Sequence, residues 1–321
     1  MQELKRIINY KRIILLLIAA TVNVVFFLYD NKPVMDEDII NKENVAHETY
    51  INNYHEEVNA IIDNADKLKK YSIFNKAGSF SYANILQTAR DFERVKNVIL
   101  PEDEYKGVQA YTTYYYQYFF TMLVMMFVIY DMFAQRDNGM WSITYSCANG
   151  RIMYAIKQTG VIVVTGAFTH TLIYWSTFIA AMLQRGGVRD LVNPVQTIET
   201  FDKFTYPWSK IKYVTVLYLI SMVCIVALCI TIWGVFVMFR NRVYALVTML
   251  IFAAVEQFIY SHIDIHSVWN GLHYINIINI ININATFSSY RNWGVGTYVF
   301  PVFSVVLFVH IICAGVIGYI A

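Results

Sequence analysis

Six apolar stretches dominate this sequence, and they constrain its fold more than any other feature. A helix needs about 20 predominantly apolar residues to cross about 30 Å of hydrocarbon. The chain is 57% hydrophobic and only 15% charged, whereas soluble domains carry about 25% charged residues. We therefore predict an all-α polytopic membrane protein with six transmembrane helices. The six predicted spans are residues 13–29, 114–133, 160–183, 213–239, 243–261 and 295–320.

One polar block, residues 30–110, separates the first span from the second. Its 15 acidic and 10 basic residues give a formal charge of −5, so it should fold in water. Apolar residues recur at helical spacing on both sides of Gly78, which predicts two amphipathic helices. The stripes contain Val45, Tyr54, Val58, Ile61, Ile62, Ala65 and Leu68, then Tyr82, Ile85, Leu86, Ala89, Phe92 and Val95. We interpret the block as a mostly helical extracellular domain, and a ligand-binding role and a plain helical hairpin both stay open.

Positive charge near the span ends predicts the orientation, because short basic loops stay on the cytoplasmic side. An N-terminus in the cytoplasm places most of these basic residues inside, and six spans return the C-terminus to the same side. Residues 1–12 are expected to form an amphipathic helix at the membrane surface, with a solvated positive anchor as the alternative. The basic residues expected inside are Lys5, Arg6, Lys11, Arg12, Arg136, Arg151, Lys157, Arg240 and Arg242.

Within the five-span region, residues 111–321, the polar segment 134–157 has an amphipathic middle around Trp141. It resembles the coupling region in permease subunits of type-2 ATP-binding-cassette exporters. In those proteins a charge closes the second span, a glycine follows, and a short helix docks into the ATPase. A small residue with an arginine then precedes a lysine at the third span. The matching residues here are Arg136 or Asp137, Gly139, Gly150, Arg151 and Lys157.

This resemblance implies a transport subunit that exports a hydrophobic or amphipathic compound, such as a peptide antibiotic, a lipid or a drug. It implies a bacterial plasma membrane, two copies of an ATPase subunit that bind ATP and Mg, and a second permease subunit, identical or related. The sequence contains no Gly-x-x-x-x-Gly-Lys-Ser/Thr loop for nucleotide phosphates. We therefore expect no enzymatic activity, no cofactor and no nucleic-acid partner for this chain itself. A membrane sensor with an extracellular ligand-binding domain is the alternative function.

Four residues are candidates for a substrate path or a gate. Glu256 and His170 lie within predicted spans, where ionisable side chains are costly and invite a functional explanation. Tyr115 and Tyr118 belong to an aromatic group at the start of the second span. An interfacial belt is the alternative explanation for those tyrosines. Asp131 is expected to pair with Arg136 or Lys157.

The segment before the last span, residues 263–294, is too polar to cross the membrane and too apolar for a free loop. Short re-entrant or interfacial helices would explain this composition. His262, Asp264 and His266 alternate there, but a fourth ligand is lacking and we expect no metal site.

Overall fold

Helices make up most of the part of the chain that the structure describes, which also contains a short hairpin. The computed structural model describes residues 10–33, 36–71, 76, 78–101, 106–137, 150–263 and 283–320. The strands β1 (Asn292–Val295) and β2 (Tyr298–Pro301) pair antiparallel. The α-helices are α1 (Tyr10–Asp30), α2 (Glu37–Leu68), α3 (Phe80–Glu93), α4 (Gly107–Thr113), α5 (Tyr116–Met132), α6 (Ala134–Asp137), α7 (Gly150–Arg185), α8 (Lys210–Met238), α9 (Arg242–His262), α10 (Ile283–Ser288) and α11 (Val302–Ile320).

Five of these helices, α1, α7, α8, α9 and α11, are long and apolar enough to cross a membrane. They confirm the predicted class, an all-α polytopic membrane protein. The helix α5 is also apolar but has only 17 residues. That length gives about 25 Å of helix, slightly less than the hydrocarbon thickness of a typical bilayer.

The last long helix is shorter than predicted. We predicted a span over residues 295–320, but α11 begins at Val302 because the residues before it pair in the hairpin. The turn of this hairpin contains Gly296 at φ +63°, a conformation that glycine adopts without steric cost. The alternation of aromatic and β-branched residues on both sides of Gly296 is the signal that predicts a hairpin. The sequence interpretation instead joined residues 295–301 to the apolar run that follows and assigned residues 292–294 to the interfacial segment.

The helix α8 lies at the centre of the bundle, where it packs against α5, α7, α9 and α11. Close approach depends on glycines at two of these contacts. A Cβ atom at Gly166 of α7 would lie 2.7 Å from the Cys229 sulfur of α8, and one at Gly234 would lie 2.3 Å from Ile317 of α11. Cys224 and Cys229 are both buried in α8. They occupy the packed interior as small apolar residues.

The polar block contains α2 and α3, which lie where the two apolar stripes occur in the sequence. Each helix begins at a capping side chain, Asp36 for α2 and Ser79 for α3, which accepts a backbone hydrogen bond from the first turn. The buried residues of the two helices form a small core of their own that contains Tyr54, Val58 and Phe92. Burial raises the pKa of the Tyr54 hydroxyl well above its ordinary value.

The polar block docks on the membrane-spanning part through polar contacts. Tyr50 of α2 donates a hydrogen bond of 2.8 Å to the backbone carbonyl of Gln196, in the connection between α7 and α8. Tyr290, just before β1, donates to Asp91 of α3 at 3.0 Å. The residues predicted as interfacial helices therefore include a docking element, formed by Tyr290 and the first strand of the hairpin, which contacts α3. Residues 264–282 of that prediction lie outside the described part of the chain.

Candidate functional site

Aromatic and polar side chains form a buried group where α5, α7 and α8 meet. We call this group the aromatic cluster: Tyr118, His170, Tyr174, Tyr218 and Ser221. His170 is only 1% exposed. Its ring stacks with the rings of Tyr118 and Tyr218, with centroid distances of 6.0 and 5.8 Å, and meets the Tyr174 ring edge-on at 5.4 Å. These ring geometries lie in the favourable range for aromatic pairs, so the cluster joins three helices.

Hydrogen bonds determine how His170 is held. Its Nε2 atom lies 2.8 Å from the Ser221 hydroxyl oxygen, and that oxygen lies 3.0 Å from the backbone carbonyl oxygen of Tyr218. A serine hydroxyl has a single proton. With this one proton, Ser221 donates either to the carbonyl or to His170. In both cases its hydroxyl links His170 to the helix α8.

Polar atoms without a hydrogen bond of ordinary geometry lie in and beside the aromatic cluster. Among the described residues, the hydroxyls of Tyr111 and Tyr118 and the Oε1 atom of Gln117 are buried without a partner of ordinary geometry. Such a buried group costs about 1–3 kcal/mol. All three residues lie on α4 and α5. If α5 separates from α7, these atoms and the ring faces offer both polar and apolar contacts to an amphipathic molecule.

The structure brings together two of the four predicted substrate-path residues, Tyr118 and His170. Tyr115 is 41% exposed and lies against Tyr116, with ring centroids 4.3 Å apart, so it is outside the cluster. Glu256 is buried on α9, a helix that packs against α5 and α8 at the edge of the bundle. The predicted group of four is therefore divided between three places.

A second buried polar network joins α1 to α7. Asn23 is fully buried, and its amide nitrogen donates to the Thr177 hydroxyl at 2.7 Å. Tyr114 donates to the amide oxygen of Asn23 at 3.0 Å. Sequence reasoning missed this network, although an asparagine in the middle of an apolar span is a signal that could have identified it.

Positive side chains from several helices converge at one end of the bundle. We call this region the basic end: Arg12, Asp131, Arg136 and Arg242. Arg12 of α1 forms an ion pair with Asp131 of α5, and its Nε atom donates to the carboxylate at 3.1 Å. Arg136 of α6 donates to the Phe236 carbonyl of α8 at 3.0 Å. The guanidinium of Arg242, the first residue of α9, lies 4.5 Å from the centre of the ring of Tyr130.

The pairing of Asp131 differs from the prediction. We expected Arg136 or Lys157 as its partner, but the structure places Arg12 there because α1 packs directly against α5. Arg136 instead binds the backbone of α8. Lys157 is exposed on α7.

The remaining predicted coupling residues are only partly described. Gly150 is the first residue of α7, and Asp137 is the last residue of α6. Gly139, Trp141 and the side chains of Asp137 and Arg151 lie outside the described part of the chain. The short coupling helix therefore stays a prediction.

The comparisons with known proteins give no relative for this architecture. No family model, no curated protein and no solved structure matches the chain.

Proposed function

We propose that this chain is the permease subunit of an ATP-driven exporter of the type-2 ATP-binding-cassette class. In this proposal α5 also crosses the membrane, as the second of six spans in chain order. Residues 30–110 are extracellular, and both termini are in the cytoplasm of a bacterial cell. The transported compound is hydrophobic or amphipathic. A separate ATPase subunit, in two copies, binds ATP and Mg, and a second permease subunit completes the transporter.

The observation that carries this proposal is the network of contacts at the basic end. Residues 138–149, which make up the middle half of the predicted coupling segment, connect α6 to α7. Immediately before them, Arg136 is bonded to α8, and Asp131 is bonded to α1. Arg242 brings α9 to the same place through its contact with Tyr130. A displacement of the coupling segment would therefore act on four helices at once.

The orientation rests on the same residues. Arg12, Arg136, Arg240 and Arg242 lie at or near helix ends on this side of the bundle. Short segments rich in Lys and Arg stay in the cytoplasm during membrane insertion. An ATPase subunit would have access to the coupling segment only from that side.

In the proposed mechanism the aromatic cluster is the place where the substrate binds. When nucleotide-driven closure of the ATPases moves α5 relative to α7, the contact between Tyr118 and His170 would open. The freed ring faces and the hydroxyls of Tyr111 and Tyr118 would then receive an amphipathic substrate, which would leave on the opposite side. The substrate class follows from this combination of apolar area and few polar groups.

The first test is purification of the tagged protein from its native membrane, with identification of stoichiometric partners. We expect a nucleotide-binding subunit at about one copy per permease and ATP hydrolysis that vanadate inhibits. Arg151→Glu and Gly139→Pro should separate hydrolysis from transport, while Lys203→Gln, an exposed change elsewhere, should leave both intact. Recovery of the protein with a kinase or regulator in place of an ATPase would refute the transporter and favour the sensor.

A further inference from the structure

A polar cavity of about 610 Å³ lies between the polar block and the membrane-spanning helices, and we call it the outer cavity. Its volume is within the range of about 300–1,000 Å³ that is usual for small-molecule sites. The residues Asn31, Glu43, His47, Lys106, Arg185 and Glu199 contribute to its lining.

The depth of the outer cavity corresponds to the headgroup region of a bilayer. Asn31 directly follows the last residue of α1, and Arg185 is the last residue of α7. Both helices are long and apolar enough to cross the membrane. The ends of such helices lie where hydrocarbon gives way to lipid headgroups. The outer cavity is therefore within reach of a headgroup while its acyl chains remain in the bilayer.

The charges of the outer cavity are only partly neutralised within the protein. Glu43 and Lys106 form an ion pair with a nitrogen–oxygen distance of 2.5 Å, so these two charges cancel. Arg185 donates to the backbone carbonyls of Asn31 and Lys32, at 3.1 and 2.8 Å. Carbonyls are neutral, and in the described part of the chain no carboxylate lies within ion-pair distance of Arg185.

Glu199 is the complementary charge. Its carboxylate is 46% exposed, and its nearest ion-pair contact among the described residues is His47, at 3.9 Å. That contact is ionic only when the imidazole is protonated. The outer cavity thus presents one guanidinium and one carboxylate that a ligand with both an anionic group and an ammonium group would neutralise.

We propose that the outer cavity binds the phosphoethanolamine headgroup of a membrane phospholipid. Arg185 binds the phosphate through the guanidinium N–H groups that the carbonyls of Asn31 and Lys32 leave free. Glu199 binds the ammonium group. Exposed apolar side chains lie close below on the same two helices, including Leu28 on α1 and Leu183 on α7, which is 83% exposed. They provide a surface for the acyl chains. This site does not depend on the transport proposal, because it is defined by lipid binding to the purified protein.

The test is native mass spectrometry of the purified full chain, titrated with phosphatidylethanolamine or phosphatidylglycerol of identical acyl chains. We expect wild-type protein to bind phosphatidylethanolamine about fivefold more tightly, the ratio that about 1 kcal/mol of ion pairing gives. Glu199→Gln should remove this preference without weakening phosphatidylglycerol. Arg185→Gln should weaken both lipids, and Arg185→Lys should restore part of the binding.

Two exposed charges on the same connection provide matched controls. Asp202 and Lys203 pair with each other at 3.9 Å and do not line the outer cavity. Asp202→Asn and Lys203→Gln should leave lipid binding unchanged. Equal binding of the two lipids by wild-type protein, or an unchanged preference in Glu199→Gln, would overturn the proposal. Displacement of the lipid by free phosphoethanolamine at equal concentration would overturn the assignment to a membrane lipid and indicate a soluble zwitterion.

Discussion

The hydrogen bond between Asn23 and Thr177 allows the contact between α1 and α7 to be measured as a single interaction. Asn23 is fully buried and donates to the Thr177 hydroxyl at 2.7 Å. The Thr177 hydroxyl in turn donates to the Ile173 carbonyl of its own helix, also at 2.7 Å. Thr177 therefore acts only as the acceptor toward α1. Asn23→Ala also removes the acceptor of the Tyr114 hydroxyl, and Thr177→Val also removes the local bond of Thr177. Only the coupling term of a double-mutant cycle therefore isolates the bond between α1 and α7.

We expect the double-mutant cycle of Asn23→Ala and Thr177→Val to give a coupling free energy of about 1 kcal/mol. Hydrogen bonds between membrane helices average about 0.6 kcal/mol and reach about 1.7 kcal/mol. A value above the average is expected here, because the donor–acceptor distance is short and both side chains are buried. The loss of side-chain volume at Asn23 occurs in both arms of the cycle, so it cancels from the coupling term.

The assay is reversible unfolding of the purified protein in mixed micelles, followed by circular dichroism as the denaturing detergent increases. Thr21 offers a matched control on α1, because its exposed hydroxyl donates to the Leu17 carbonyl of the same helix at 2.9 Å. Thr21→Val should show no coupling to Thr177→Val. A coupling below about 0.3 kcal/mol for Asn23, which is within the usual error of additivity, would refute the assignment of this bond as a link between α1 and α7.

Three further predictions concern packing and the polar block. Gly166→Ala should lower the free energy of unfolding by about 1–3 kcal/mol, because its methyl group would lie 2.7 Å from the Cys229 sulfur. Gly160→Ala is the control on the same helix: no atom lies within 4 Å of its methyl group, so it should be neutral or stabilising by up to about 1 kcal/mol. Tyr290→Phe removes the 3.0 Å hydrogen bond to Asp91 and should cost about 1–3 kcal/mol, visible as faster amide exchange in α3 and the hairpin. Burial raises the pKa of Tyr290 from 10.0 to about 12. The contribution of Tyr290 to the free energy of unfolding should therefore be complete below pH 10.0 and disappear as the pH rises to about 12. In alkaline unfolding, Tyr290→Phe should not show this loss.

The sequence predicted the long helices well because their cause is local. A run of about 20 apolar residues specifies a membrane-spanning helix whatever its neighbours are. The stripes that contain Tyr54 and Phe92 likewise predict amphipathic helices, and both residues are buried between α2 and α3. In each case the information lies within one stretch of the chain.

The contacts that define the candidate sites were less predictable, because they join residues far apart in the sequence. Asn23 and Thr177 are separated by 154 positions, and nothing in either helix alone identifies the other as its partner. The same holds for Arg12 and Asp131, whose separation is 119 positions. Arg136 and Lys157 are the expected partners of Asp131 because all three lie near the same predicted membrane edge, whereas the packing of α1 against α5 is not visible in the sequence.

The polar block contacts the helix bundle at one end, and α1 connects this end to the basic end of the bundle. By chain connection it lies between α1 and α4, and by hydrogen bonds it contacts the α7–α8 connection through Tyr50 and the region before α11 through Tyr290. At the opposite end, Arg12 joins α1 to α5. The helix α1 therefore belongs to both sets of contacts. A ligand that tightened the outer cavity would act on α1 and α7 first, and both of these helices pack against α5.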